Sequence, residues 1–119
     1  MTDASIITGY HAHVYYHDDD SRARAAVLRE AIERDFNVTM GRWRDEPVGP
    51  HPRSMYQVAF EPDQFAAIVP WLMLNRDGLT ILLHPNTDDA VADHRDQPFW
   101  FGEVLPLDIG FLEALGNDS

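Results

Sequence analysis

The order of hydrophobic periodicities along the chain is the feature that most limits its fold. Aromatic and β-branched residues dominate residues 10–16, which predicts a strand. A run of three aspartates then suits the positive end of a helix dipole, and apolar residues recur at helical spacing over residues 21–36. A second helix is predicted at residues 62–78, with proline at its start and glycine at its end, and Pro70 is expected to kink it or mark a boundary. Three further strands are predicted, at residues 38–43, 55–60 and 79–84.

These elements follow one another in the order βαββαβ, which is the order of the ferredoxin-like motif. The predicted fold is therefore an α+β sandwich, with an antiparallel sheet in the spatial order 4-1-3-2 and both helices on one face. A short helix is predicted around Asp93 and His94, and residues 99–115 form a C-terminal extension. No internal repeat or second domain is visible, so residues 1–119 are predicted to form one domain.

The composition excludes several kinds of chemistry and partner. Cysteine and lysine are absent, which removes disulfides, thiolate ligands and Schiff-base chemistry. A net charge of −11 disfavours nucleic acid and anionic lipid, and no apolar run is long enough to span a membrane. We therefore expect no nucleic-acid or membrane partner and, without a signal-like N-terminus, a cytoplasmic location. Any metal must be held by His, Asp, Glu or backbone oxygen, which suit zinc and non-haem iron among others.

Three histidines are predicted to lie on the sheet face that the two helices leave open. Because strand residues alternate between faces, His11, His13 and Tyr15 share the face opposite the apolar residues of the first strand. His84 falls on the same face of the fourth strand, which is the antiparallel neighbour of the first in this fold. The predicted topology therefore brings His11, His13 and His84 to one patch as candidate metal ligands. The alternative is that the His-x-His pair is simply a solvated strand edge.

Two more histidines are candidates for a role at that patch. His51 lies in Gly-Pro-His-Pro, where the flanking prolines stiffen the loop and could aim the side chain at a site. His94 follows Asp93, which could orient it or serve as an anionic ligand. Each also has an ordinary interpretation, as an exposed turn residue for His51 and a helix-surface residue for His94.

The segment around Trp43 carries candidates for substrate binding. Arg42 and Arg44 flank the tryptophan, and an arginine fork can hold a carboxylate in a bidentate manner. A salt bridge on an acidic protein is the alternative for both. Tyr15 and Gln57 are candidates for the wall of a pocket or for the core, and the sequence alone does not separate these interpretations.

Several segments, in order, resemble the fungal and bacterial DOPA 4,5-dioxygenase family. They are Tyr-His-Ala-His-Val-Tyr-Tyr (10–16), Gly-Arg-Trp-Arg-Asp-Glu-Pro-Val-Gly-Pro-His-Pro (41–52), Met-Tyr-Gln-Val-Ala-Phe (55–60), Val-Pro-Trp-Leu-Met-Leu-Asn-Arg (69–76), His-Pro-Asn-Thr (84–87) and Asp-His (93–94). The resemblance runs from about Tyr10 to Leu107, nearly the whole chain.

The resemblance implies an extradiol dioxygenase that opens the ring of DOPA, or of a related catechol, with O₂ and non-haem Fe(II). His11, His13 and His84 are then candidate iron ligands, since neutral imidazoles bind Fe(II) and leave positions open. Zinc or nickel could occupy the purified protein. His51 and His94 become candidate acid–base or substrate-contacting residues, and spacing leaves the ligand and acid–base roles of these five histidines interchangeable.

The predicted open face lacks a carboxylate, which separates this site from the usual 2-His-1-carboxylate triad. Either the site uses three histidines, or Asp93 or Glu103 reaches in. Two other functions stay open: a metal- or small-molecule-binding module without turnover, and a zinc-dependent enzyme. The open sheet face also needs cover, from the C-terminal extension or from a second subunit, and we expect a homodimer.

Overall fold

The structure, a computed structural model, describes residues 1–116. Its elements are β1 (Gly9–Tyr16), α1 (Asp19–Asp35), β2 (Thr39–Met40), β3 (Ser54–Phe60), α2 (Phe65–Asn75), β4 (Ile81–Asn86), α3 (Ala90–Arg95), β5 (Phe99–Phe101) and α4 (Ile109–Leu115). Short 3₁₀ turns precede β1 at Ala4–Ile6 and α2 at Pro62–Gln64.

The strands form one antiparallel sheet in the order β2-β3-β1-β4-β5. This confirms the predicted order of the first four strands, with β1 central between β3 and β4. The C-terminal extension adds β5 at the edge beside β4, which the sequence had not indicated. The pairing of β1 with β4 places His11 directly opposite His84.

Both long helices pack on one face of the sheet, and this confirms the predicted sandwich. α1 begins with a capping box in which the Asp18 carboxylate accepts from the Ser21 backbone and the Ser21 hydroxyl accepts from the Asp18 backbone. The core between the layers contains apolar residues of both helices and of the three central strands. Its fully buried members include Val14, Ala25, Ile32, Tyr56, Val58, Ile68, Leu72 and Ile81.

The second strand and the second helix differ from their predicted extents. β2 has only two residues. After Met40 the regular ladder ends, and the chain contacts β3 through the Gly41 amide and an isolated bridge between Arg44 and Met55. α2 runs through Pro70, which lies on its exposed side. Because proline has no N–H, the carbonyl of Ala66 lacks its helical donor. Ala66 is also exposed, so this carbonyl can bind water.

The C-terminal extension covers part of the open sheet face. Leu105 and Leu107 pack with Tyr15, Met55 and Leu82, which point away from the two long helices. The chain itself therefore supplies part of the cover that the sequence had assigned either to this extension or to a second subunit. Among residues 1–116, no helix is both long enough and apolar enough to cross a bilayer.

Candidate metal centre

The strands β1 and β4 bring three histidines together on the open face. His11 and His84 are register partners, and His13 follows two residues later on β1 with its side chain on the same face. One ring nitrogen from each residue lies within 4.8 Å of those of the other two. His13 and His84 are 3% and 2% exposed, so two of these imidazoles are held inside the protein and not at a solvated edge.

The spacing of two ring nitrogens suits a common metal ion. Nε2 of His13 and Nε2 of His84 are 3.1 Å apart. Two nitrogens that each lie about 2.0–2.1 Å from one ion, at tetrahedral or octahedral angles, are separated by about 2.8–3.4 Å. The spacing of His13 and His84 therefore fits one metal ion, and His11 offers a ring nitrogen within 4.8 Å of both.

The hydrogen bond on the far side of His84 supports the same interpretation. Nδ1 of His84 lies 2.9 Å from the carbonyl oxygen of Pro85, and a carbonyl can only accept, so Nδ1 carries the proton. In the neutral ring Nε2 then presents its lone pair to the cluster, as is usual for metal-binding histidines. Nδ1 of His13, by contrast, is buried without a partner among the described residues. A buried polar atom without a hydrogen-bond partner is uncommon in a well-packed core and is typical of a functional site.

Burial keeps the clustered imidazoles neutral. It lowers the pKa of His84 to about 3 and the pKa of His51 to about 4, with repulsion from neighbouring histidines as the smaller cause. Burial likewise holds the pKa of His13 well below its usual range and lowers the pKa of the more exposed His11. At neutral pH the rings of His11, His13 and His84 are therefore available as lone-pair donors to a metal ion.

The depressed pKa values predict how the stability of the metal-free protein depends on pH. In the unfolded chain these histidines titrate near 6.5, so between that pH and about pH 5 the unfolded state binds more protons than the folded state. The free energy of unfolding should therefore be highest above the unfolded pKa. It should fall on acidification by roughly 1.4 kcal/mol per pH unit for each histidine kept neutral.

Urea denaturation of the chelator-treated protein at several pH values measures this slope. His51→Gln should reduce it, because the variant removes one of the buried histidines whose pKa is lowered. Equal stability at neutral pH and at about pH 5 would contradict the prediction.

The proline-flanked loop places His51 against the cluster. Its ring centroid lies 4.2 Å from that of His13, and its Nδ1 lies 2.7 Å from the hydroxyl oxygen of Tyr15. A hydrogen bond anchors this loop to the C-terminal extension, because the Pro50 carbonyl accepts from the Asp108 amide at the start of α4. His51 is buried, so the structure does not place it in an exposed turn.

The helix α3 places His94 on the other side of the cluster, 4.0 Å from His84 between ring centroids. Nδ1 of His94 lies 2.7 Å from the carbonyl oxygen of Ala90, so Nδ1 carries the proton and Nε2 is left with a lone pair. The expectation that Asp93 orients His94 is wrong. Both carboxylate oxygens of Asp93 accept from Thr87, one from the backbone amide and one from the hydroxyl, because Asp93 closes the turn before α3.

The structure favours three histidines over a site completed by a carboxylate. Asp93 is engaged by Thr87, and Glu103 lies at the surface with its side chain 65% exposed, facing Arg53. Neither belongs to the group of ligand atoms that His11, His13 and His84 form.

A cavity of about 230 Å³ opens beside the cluster and joins it to the predicted substrate-binding residues. Its lining includes Arg42, Arg44 and Gln57 together with His13 and His51. Six of the nine arginines form ion pairs with carboxylates, and Arg76 donates to a carbonyl. Within residues 1–116, Arg42 and Arg44 are the two whose guanidinium groups have neither kind of partner. Neither arginine therefore forms the salt bridge that was its alternative interpretation within residues 1–116, and both line this cavity.

A larger cavity of about 590 Å³ lies between the N-terminal segment and α3. It touches His84 but none of the other four clustered histidines, and its remaining lining is mainly apolar and acidic. We therefore place the candidate site at the smaller cavity.

Sequence reasoning missed the carbonyl groups that orient the rings. Ala90 precedes His94 by four residues on one helix, so that contact could have been read from helical spacing. The contact of Pro85 with its neighbour His84 and the contact of Tyr15 with His51 depend on the path of the backbone, which no local pattern reports.

Three comparisons with known proteins relate the chain to dioxygenases. The sequence profile described as "Dopa 4,5-dioxygenase family" matches residues 10–111. A DOPA 4,5-dioxygenase of Amanita muscaria is 32% identical over 96% of this chain and 54% of its own length. An uncharacterised 21.2 kDa protein of Botryotinia fuckeliana is 37% identical over 95% of this chain and 68% of its own length. This chain therefore spans about half to two thirds of these two relatives.

A solved structure shares the whole fold. A crystal structure from Nostoc punctiforme, described provisionally as a dioxygenase, has a TM-score of 0.95 and 54% sequence identity. The match covers 98% of this chain and 100% of that one.

Proposed function

The chain belongs to the Dopa 4,5-dioxygenase family, and we propose that it opens the ring of DOPA or a related catechol with O₂ at a non-haem Fe(II) centre. The observation that carries this proposal is the three-histidine cluster, with its 3.1 Å spacing between two Nε2 atoms, beside a cavity lined by Arg42 and Arg44, whose guanidinium groups have no carboxylate or carbonyl partner among residues 1–116. His11, His13 and His84 are the proposed ligands. The all-imidazole donor set suits Fe(II) among other divalent metals.

The bound metal would supply open coordination positions for the catechol and O₂ and a path for electrons, and the electrons that reduce O₂ would come from the catechol. The protein's own residues have distinct tasks around it. His94 presents the lone pair of Nε2, which can accept a catechol proton. His51 lines the cavity and is proposed to contact the substrate. Both atoms of O₂ end in the ring-opened product, so no external reductant is consumed.

The two arginines whose guanidinium groups lack such partners among residues 1–116 indicate the class of substrate that the cavity would prefer. A guanidinium without a protein partner beside a half-enclosed cavity suits a carboxylate, which it can bind in a bidentate manner. We propose that Arg42 and Arg44 hold the carboxylate of an amino-acid or carboxylic-acid catechol, while Gln57 contributes a polar contact. Arg44 is the better placed of the two because it is partly buried, whereas Arg42 is exposed.

Oxygen uptake by anaerobically reconstituted protein tests the proposed function. Protein loaded with Fe(II) should consume O₂ in the presence of a catechol and form a yellow ring-opened product. Protein loaded with zinc should not, because zinc has no redox chemistry. Absence of uptake with every catechol in a panel, despite full iron loading, would reject the dioxygenase in favour of a binding module or a zinc enzyme.

The same assay has an arm that tests the substrate class. DOPA and dihydroxyphenylpropionate should have a lower KM than 4-methylcatechol, by roughly 10-fold for one charge-assisted contact. Arg44→Met should raise KM for the two acids and leave the KM for 4-methylcatechol nearly unchanged. Arg95→Met, which removes a surface ion pair with Asp96 on α3, is the matched control. If Arg44→Met affected acidic and neutral catechols equally, the carboxylate role would be wrong.

A further inference from the structure

We infer that Tyr15 is a positioning residue that fixes His51 in the tautomer with its proton on Nε2, so that His51 acts on the substrate as a hydrogen-bond donor. This assignment replaces the expectation that Tyr15 binds substrate. Its catalytic consequence rests on the proposed function, whereas the tautomer itself can be tested without turnover.

The geometry of one hydrogen bond carries the inference. The Tyr15 hydroxyl oxygen and Nδ1 of His51 are 2.7 Å apart, and both residues are buried, at 2% and 7% exposure. His51 is the hydrogen-bond partner that the described residues offer this hydroxyl. A phenol has one O–H to donate, and leaving it without an acceptor in a buried position would cost about 1–3 kcal/mol.

The direction of the bond follows from that cost. If Nδ1 of His51 carried the proton, the bond would run from His51 to Tyr15, and the buried O–H would have no acceptor. If Tyr15 donates, both groups are satisfied and the remaining proton of the neutral imidazole lies on Nε2. Burial also raises the pKa of Tyr15, so the phenol keeps the proton that it donates.

His84 and His94 have the opposite tautomer. Their Nδ1 atoms face the carbonyl oxygens of Pro85 and Ala90, which can only accept, so their Nε2 atoms are lone-pair donors. The cluster therefore contains histidines in both neutral tautomers, because Nδ1 faces a carbonyl in two of them and a phenol in the third. Those whose Nδ1 donates to a carbonyl can bind a metal or take a proton, and the one whose Nδ1 accepts from a phenol can donate a hydrogen bond through Nε2.

This division separates the two acid–base candidates that spacing left interchangeable. His94 can accept the proton that a catechol loses on binding. His51 can donate to an oxygen atom of the substrate in the cavity that it lines with Arg42 and Arg44. His51 is also poorly suited as a ligand, because its Nδ1 is occupied by Tyr15 and its Nε2 carries a proton.

Nitrogen-15 NMR of the metal-free protein measures the tautomers directly. Two-bond correlations distinguish a protonated from an unprotonated ring nitrogen, and single His→Gln variants assign the signals. We expect His51 to show a protonated Nε2 and an unprotonated Nδ1, with the reverse for His84 and His94 in the same spectrum as internal controls. A protonated Nδ1 on His51 would overturn the inference.

Tyr15→Phe tests whether the hydroxyl is the cause. The variant should lose the single His51 tautomer, with Nδ1 protonated in a substantial fraction. It should also lower kcat by roughly 10-fold or more, with little change in KM. Tyr56→Phe is the matched control, because it removes a buried hydroxyl that donates to the Ala25 carbonyl on the helix-covered face. The control should leave both the His51 spectrum and turnover unchanged.

The outcomes separate this inference from the proposed function. A raised KM with an unchanged His51 tautomer in Tyr15→Phe would make Tyr15 a substrate-binding residue and overturn the positioning role. The expected tautomers without oxygen uptake on any catechol would retain the hydrogen-bond assignment and reject the dioxygenase. If Tyr15→Phe did not fold, the spectrum of the unaltered protein would still decide the tautomer.

Discussion

Replacing His84 with alanine should remove the metal and with it all measurable turnover. His84 is 2% exposed, lies opposite His11 in the sheet, and directs Nε2 at His13 over 3.1 Å. Loss of even an outer partner of a metal ligand weakens metal binding by about 10–100-fold, and loss of a ligand itself should cost at least as much. Iron content after gel filtration should therefore fall from about one ion per chain to a small fraction of that.

Two further variants make this result interpretable. His17→Ala removes an exposed histidine of the same chain and should retain full iron content. His11→Ala removes a proposed ligand that is only partly buried, so it should lose iron with little cost to folding. Because His84→Ala leaves a cavity in a buried place, circular dichroism should accompany each measurement. Full iron content in a folded His84→Ala or His11→Ala protein would contradict the ligand assignment.

Replacing His51 with alanine should have the opposite pattern, with iron retained and turnover lowered by roughly 100-fold or more. That range is usual for the loss of one hydrogen-bond donor that stabilises charge in the transition state. The reason is that His51 comes from a loop beside the cluster, lines the cavity with Arg42 and Arg44, and has its Nδ1 bound by Tyr15. Bound iron and oxygen uptake, measured on the same preparation, separate the two effects.

Two isosteric variants test which ring nitrogen acts. Glutamine places an amide NH₂ near the position of Nε2, whereas asparagine places it near Nδ1. If His51 donates through Nε2, His51→Gln should keep more activity than either His51→Asn or His51→Ala. An iron-free His51→Ala protein would make His51 a ligand. A fully active one with iron bound would leave the loop with a structural role and make His94 the leading acid–base residue.

The positions of the candidate ligands could be predicted because strand geometry is local. Alternation along β1 assigns His11 and His13 to one face from their spacing alone, since successive residues of any strand point to opposite sides. The βαββαβ order then makes β4 the neighbour of β1, because this motif has few allowed connections. His84 opposite His11 follows from those two facts together, and the structure has that register.

The extents of some elements could not be predicted because tertiary contacts decide them. The β-branched and aromatic residues after Val38 favour a longer second strand, but the chain leaves the regular ladder after Met40 and keeps only isolated contacts to β3. The Phe-Trp-Phe segment of the extension becomes β5 because the free edge of β4 accepts it, which an isolated segment of three residues does not reveal.

The sequence by itself determined the α+β class, the order of the strands, the face of the sheet that carries the histidines and the absence of thiolate ligands. These depend on composition and on periodicities of two and about four residues, which act within a single element. The tertiary structure alone decided which ring nitrogen carries the proton in His51 and in His84. Those protons are set by contacts such as Tyr15 with His51, 36 residues apart, and a hydrogen bond of that kind forms only when packing brings its two groups together.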